Sequence, residues 1–235
     1  MVMVSNVTWR TPLWQAIAEQ EAVTWRAVGD TVMAGVIAGP KTPLAITDLS
    51  PLPRLGFKGR ETISAMRARG LVLESHPNRA FRQRDGSLCL VLSAGDVLVL
   101  GAVSDDNASL ASLETGWDME AETRCYPLPR RDSHVWFAIC GEAAPAMFAK
   151  ICAIDLRPDH FPDLAIAQTA AARLNAILLR ADIGGRPVFH LLSDSSAARY
   201  MLTCLLDAAA EFGGRLKGYQ SLLDTHASEI LEGYG

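Results

Sequence analysis

The side chains that could ligate a metal or relay a proton are scattered along this chain. His76, His134, His160, His190 and His226 contain no i, i+4 pair, and a metal site needs ligands that converge, so none is expected. Cys89, Cys125, Cys140, Cys152 and Cys204 are odd in number, lack C-x-x-C spacing, and four of the five lie in apolar surroundings. They read as reduced thiols packed like small hydrophobes. Ser133-His134 and several Ser-Asp pairs are common dipeptides, and the G-x-S-x-G frame that exposes a serine nucleophile is absent. Gly59 and Gly141 each stand where a strand should turn into a helix, a place where free N–H groups can hold phosphate. Neither sits in a G-x-G-x-x-G or G-x-x-x-x-G-K-[ST] frame. Both read as tight turns, and the chain is expected to bind no dinucleotide of its own.

The elements that carry these residues fall into two similar runs. Thr11-Pro12 opens a short helix with Leu13, Trp14 and Ile17 on one face. Residues 23–38 alternate as strand around a Gly29-Asp30 turn, residues 46–50 form another strand ended by Pro51 and Pro53, and a helix over 60–69 stops at Gly70. After Asp85-Gly86, strands over 87–93 and 97–103 flank an Ala94-Gly95-Asp96 turn, and the polar stretch 104–128 reads as a linker. The second run has a strand over 133–140, a turn at Gly141, a helix over 142–152, and strands over 170–181 and 187–193 flanking Gly184-Gly185. A long helix over 195–212 follows, closed by Gly213-Gly214, with Met201, Leu202, Leu205, Leu206, Ala209 and Phe212 as one apolar stripe. Over 220–231, Leu223, Ala227, Ile230 and Leu231 share a helical face that would dock on this chain or on a partner. Setting LGFKGRETISAM (55–66) over FAICGEAAPAMF (137–148) aligns Gly59 with Gly141 at an offset of 82, and the later hairpins align at about 90. The chain is therefore expected to hold two strand–helix–hairpin halves, 1–128 and 129–235, forming one globular body with residues 160–163 as an insertion.

Composition narrows the class of partner. Of 235 residues, 49% are hydrophobic and 20% charged; counting glycine and leaving out tyrosine raises the apolar share to about 55%, above the usual range. That excess is expected to lie under partner subunits and to make the isolated chain self-associate. Net charge is −4 and the densest basic runs are RQR at 82–84 and PRRD at 129–132. Nucleic-acid binding, which needs a concentrated cationic face, is disfavoured. MVMVSNVTWR lacks the pattern of a signal peptide, and the apolar window 88–103 is broken by Ser93-Ala94-Gly95-Asp96, too short to span a membrane. The expectation is a soluble, cytoplasmic protein.

The stretch RRDSHVWFAICGEAAPAMFAKICAIDLRPDHF, continuing through AIAQTAAARLNAILLR and YMLTCLLDAAAEFGG, together with Ile46-Thr47-Asp48-Leu49-Ser50, resembles the gamma subunit of heterotetrameric sarcosine oxidase. More distantly it resembles the folate-binding domain of the glycine-cleavage aminomethyltransferases. The resemblance implies an α+β fold of two ferredoxin-like halves and a non-catalytic, gamma-type subunit of a flavoenzyme that oxidises an N-methyl amino acid such as sarcosine. It implies alpha, beta and delta partner subunits that hold FAD, FMN and NAD, with the one-carbon unit passing to tetrahydrofolate on the large subunit and no cofactor in this chain. Three other readings remain open at this point: a subunit of N-methylglutamate dehydrogenase, a stand-alone folate-binding aminomethyltransferase-like protein, and a homo-oligomeric binding module with no enzyme partner.

Residue by residue, the aminomethyltransferase motif R-T-G-Y-T-G-E falls on Arg180-Ala181-Asp182-Ile183-Gly184-Gly185-Arg186, where only Arg180 and Gly185 match. Arg180 is thus the one folate-binding residue the resemblance carries over. Where the motif ends in an acid that accepts hydrogen bonds, Arg186 has donors only. The family's catalytic Asp lies on an earlier strand, but Gly86-Ser87-Leu88-Cys89-Leu90 supplies no carboxylate, and Asp85 fits a turn. No catalytic residue is expected. Asp155, Arg157, Gln168, Thr169 and Arg173, in the most similar segment, are expected to make buried hydrogen bonds or inter-subunit contacts. Lys217-Gly218-Tyr219-Gln220 is similar to the K-G-C-Y motif of folate-binding iron–sulfur repair proteins but lacks its Cys, and reads as chance.

Overall fold

Residues 9–103, 107–115, 117 and 124–223 are described by a computed structural model of the chain. They divide into two compact units: one drawn from Met1–Pro51, His134–Asp163 and Thr169–Gly235, the other from Leu52–Ser133 and Leu164–Gln168. This differs from the expected boundary between 128 and 129, because the early strand pairs with the second half.

In the unit built on 52–133, β4 (Arg54–Lys58) leads into α2 (Thr62–Ala68), followed by β5 (Arg79–Arg82), β6 (Leu88–Ser93), β7 (Asp96–Leu100), α3 (Ala108–Thr115) and β8 (Tyr126–Pro129). The sheet order β5-β6-β7-β4-β8 is antiparallel throughout. It is a ferredoxin-like β-α-β-β-α-β arrangement with β5 as an added edge strand. Helix α2 stops as the sequence predicts. Gly70 takes φ +85, and the Leu71 N–H donates to the Met66 carbonyl at 3.2 Å, the bond that closes a glycine-capped helix end. Alternate residues Cys89, Val91, Val97 and Val99 join Phe57, Met66, Leu110 and Leu113 in one core. Leu88, Leu90, Leu98 and Leu100, pointing the other way, are buried as well. The expected linker at 104–128 is instead helix α3, anchored by Leu110 and Leu113, and edge strand β8. Pro127 and Pro129 argue against a strand in sequence, but an edge position needs no inward N–H from them.

The other unit opens with α1 (Trp14–Ala18), where Thr11 Oγ1 accepts from the Leu13 N–H at 3.2 Å, and with the hairpin β1 (Val23–Val28) and β2 (Thr31–Ile37) turning at Gly29. Strand β3 (Ala45–Asp48) comes next. After residue 133 follow β9 (His134–Cys140), α4 (Ala144–Phe148), β10 (Ile166–Ala171), β11 (Leu174–Arg180), β12 (Val188–Asp194), α5 (Ala198–Ala210), β13 (Arg215–Leu216) and α6 (Gln220–Leu223). Sheet order is β10-β11-β12-β9-β3-β13. Strands β9, β11 and β12 with α4 and α5 repeat the ferredoxin-like plan. The place beside β9 that a fourth strand would fill is taken by β3, antiparallel, with β13 parallel to β3 outside it.

Three details depart from expectation. The strand expected over 170–181 is broken by Ala172 and Arg173, at φ 48 and 66, a turn conformation that glycine or asparagine would have announced. Helix α4 is shorter than 142–152, and α5 begins after a tight turn at Ser195–Ala197 whose Asp194 carboxylate accepts from the Ser196 N–H. Of the terminal helix, α6 includes Leu223, while Ala227, Ile230 and Leu231 lie outside the described residues.

Trp136, Phe137, Phe148 and Phe189 are fully buried in this unit, Phe148 meeting Phe189 edge-on at 5.9 Å. The apolar excess of the sequence is largely absorbed by the interior. Among the described residues the exposed large apolar side chains are Val36, Val72, Tyr126 and Tyr200. No helix among them is long and apolar enough to cross a membrane.

Candidate functional site

The residues singled out by sequence go mostly to structural tasks. Gly59 and Gly141 take φ +148 and +145, and a Cβ would stand 2.1 Å from the Arg124 carbonyl oxygen at one and 2.2 Å from that of Pro43 at the other. Backbone packs where phosphate would have to enter. Arg180 is buried with all three nitrogens engaged: its Nε and one Nη donate to Asp182 at 2.8 Å each, the other Nη to the Phe161 carbonyl at 3.0 Å. Asp85 receives the Ser87 N–H and hydroxyl on one oxygen and the Ser109 N–H at 2.7 Å on the other. Partial burial pushes its carboxyl up, but the bonds from Ser87 and Ser109 outweigh this and hold it below the usual carboxylate range. It ties the first turn of α3 to the β5–β6 turn. Cys89 is fully buried, and burial pushes its thiol far up.

Of the two roles expected of the segment 155–173, buried hydrogen bonds or inter-subunit contacts, its mostly exposed side chains do not fit the first. Asp155 and Arg157 form an exposed two-point ion pair at 2.6–3.1 Å, whose hydrogen bonds hold the Asp155 carboxyl low. Arg173 is an exposed turn residue. Gln168 bonds Asn78 and the Leu92 carbonyl at 2.8 Å each, Thr169 being half-buried beside it. His190 is buried and accepts the Trp136 indole N–H on Nδ1 at 3.0 Å, His76 and His160 lie in exposed contacts with Glu74 and Asp155, and His226 lies outside the described residues. Among the described residues no three His, Cys, Asp or Glu side chains converge as a metal site would require.

What the structure does bring together is a cleft of about 460 Å³, within the unit that holds β1–β3, β9 and β11–β13. One wall is the end of β2 and the chain after it, Gly35 to Pro43; Cys140 and Arg186 lie along a second side and residues 217–221 along a third. Residues 215–219 are zipped between two strands. The Arg215 and Lys217 N–H groups donate to Leu44 and Ile46 of the β3 segment, and the Tyr219 N–H donates to Ala34 of β2, at 2.8–3.0 Å. Gly218 is required there, since a Cβ would lie 2.3 Å from the Gly35 carbonyl oxygen. Arg186 ends a tight turn closed by reciprocal backbone bonds with Ile183 at 3.0 and 3.1 Å, with Gly184 and Gly185 at positive φ.

Among the described residues, Lys41, Arg186 and Lys217 line this cleft and no carboxylate does. Lys217 Nζ donates to the Gly39 carbonyl at 3.2 Å. A second hollow of about 310 Å³ shares Cys140 and Arg186 with it. Cys140 is 8% exposed, and burial pushes its thiol up against the opposing pull of Arg186, leaving it protonated and a poor nucleophile at neutral pH. The sequence marked Arg186 as a departure from the family motif and Lys217 only as a chance match. Lys41 carried no signal.

No protein-family model matches the sequence, and no curated protein matches it. Among solved structures, a chain of the heterotetrameric sarcosine oxidase from Corynebacterium sp. U-96 superposes with a TM-score of 0.66 at 19% identity, covering 88% of this chain and 97% of that one. The chain has that fold. Aminomethyltransferase T of the glycine cleavage system from Bartonella henselae superposes at a TM-score of 0.68 and 14% identity over 91% of this chain, which spans 60% of the aminomethyltransferase.

Proposed function

We propose that this chain is a non-catalytic, gamma-type subunit of a heterotetrameric, sarcosine oxidase-like flavoenzyme of the cytoplasm. Its alpha, beta and delta partners would hold FAD, FMN and NAD and pass the one-carbon unit to tetrahydrofolate. The observation that carries this reading is one of length and fold together: the match spans 97% of a chain from a heterotetrameric sarcosine oxidase, but 60% of the aminomethyltransferase. The cleft supports it. Where the aminomethyltransferase motif ends in an acid, this chain places Arg186 among other cations, and its guanidinium has no acceptor to offer a pterin's amino and ring N–H groups. Co-expression with the large subunit of a sarcosine oxidase-like enzyme tests the reading. A stoichiometric complex on gel filtration with light scattering is the expected result, and a monomer that ignores that subunit overturns it. The likeness to aminomethyltransferase T keeps one rival, a folate-binding transferase. Calorimetric titration with tetrahydrofolate separates the two, since a dissociation constant tighter than about 10 μM supports the rival.

A further inference from the structure

We propose that the cleft between β2, Arg186 and residues 217–221 binds a small organic anion, a carboxylate or phosphate on an apolar body, gripped by Arg186 and Lys217. Three cations converge on a concave site, and among the described residues neither Lys41 nor Arg186 is paired with a carboxylate. Like charges held together in a cleft with low-dielectric walls repel one another and concentrate a positive potential, and an anion relieves the one by answering the other. The geometry is prepared for it. The reciprocal backbone bonds of the Ile183–Arg186 turn fix the root of Arg186, whose planar fork suits two oxygens of one anion. Lys217 spends one proton on the Gly39 carbonyl and keeps two for a ligand. The walls supply the other half of the ligand's character: Val36, Ile37, Ala38 and Pro43 are apolar, so a bare ion would leave them wet. A volume of about 460 Å³ lies at the size of ordinary small-molecule sites, roughly 300–1,000 Å³.

This inference rests on the cleft alone and stands whether or not the chain is a subunit. It is tested on the full-length chain by calorimetric titration at fixed ionic strength with three probes, glutarate, benzoate and inorganic phosphate. Saturable binding of at least one is expected, with the organic probes favoured over phosphate if the apolar walls contribute; glutarate against benzoate then reads whether one or two anionic groups are held. Arg186→Gln and Lys217→Ala should each weaken binding about tenfold or more, and Lys41→Ala less. Circular dichroism confirms that each variant is folded. Should Lys217→Ala fail to fold, Arg186→Gln, a change at an exposed turn, still decides. Absence of saturable heat with all three probes, or binding unchanged in Arg186→Gln, overturns the proposal.

Discussion

Gly59 and Gly141 do the same thing in the two halves of this molecule with different neighbours. Each follows an interior strand of its sheet, β4 or β9, at nearly the same φ, +148 and +145, and each lets a backbone carbonyl approach to where a Cβ would stand. At Gly59 the approaching chain is Arg124, just before β8, the last strand of its own unit. At Gly141 it is Pro43, just before β3, almost 100 residues earlier. The local device repeats while the connection that satisfies it does not. A repeat can thus conserve a contact in space while changing which part of the chain makes it.

The sharpest way to break this comparison is to put a methyl group on both turns. Gly59→Ala and Gly141→Ala should each cost about 3 kcal/mol or more, because a Cβ there meets backbone and the φ is unfavourable for any L side chain. Urea denaturation curves should show comparable losses, and a small loss at one site alone would end the claim that the turns are equivalent. Next come the residues five positions before each glycine. Arg54, 3% exposed, donates to the backbone carbonyls of Leu52, Arg130 and Arg131, whereas its counterpart Trp136 is fully buried and donates to His190. Arg54→Met should cost about 2–4 kcal/mol by leaving buried carbonyls unmet. Trp136→Phe should cost about 1–3 kcal/mol through a small void and one lost bond. The reverse order in the same denaturation assay would show that the cation is dispensable and the indole is not.

Asp85 sharpens the contrast within one half. Its carboxyl is held below the value it has in the unfolded chain, so it contributes stability above the unfolded pKa of about 3.9 that is lost as pH falls through the depressed value. Asp85→Asn should cost about 1 kcal/mol at neutral pH and flatten the acid limb of the stability profile. An unchanged acid limb would remove Asp85 from that role. The smallest effect is expected at Arg157. Its pair with Asp155 is open to water, so Arg157→Ala should leave the melting temperature unmoved in differential scanning calorimetry.

The repeat was legible because turns write themselves locally. Gly70, Gly86, Gly184 and Gly213 all take the positive φ their positions called for, and the 82-residue offset places Gly59 on Gly141. Pairings across distance left no such mark. Nothing in residues 45–48 says that their partner is 137–140, and the boundary at 128 failed for that reason. Ala172 and Arg173 turn the chain with residues that advertise no turn, and α3 reveals itself by only two buried leucines in a polar stretch. The cleft was half legible. Arg186 stood out against the family motif, but Lys41 and Lys217 are 176 positions apart and only the strands that zip 215–219 between β2 and β3 bring them to one place.

That borrowed strand sets a timetable for synthesis. A ribosome adds roughly 5–20 residues per second, so Ile46 emerges on the order of 5 to 20 s before Ile139, the residue it faces across the sheet. Throughout that interval Leu44, Ile46 and Leu49, all fully buried at the end, have no sheet to join. The whole of 52–133 meanwhile leaves the exit tunnel with all five strands of its own sheet in hand. The guest is finished while its host is still waiting for the rest of its message to be read.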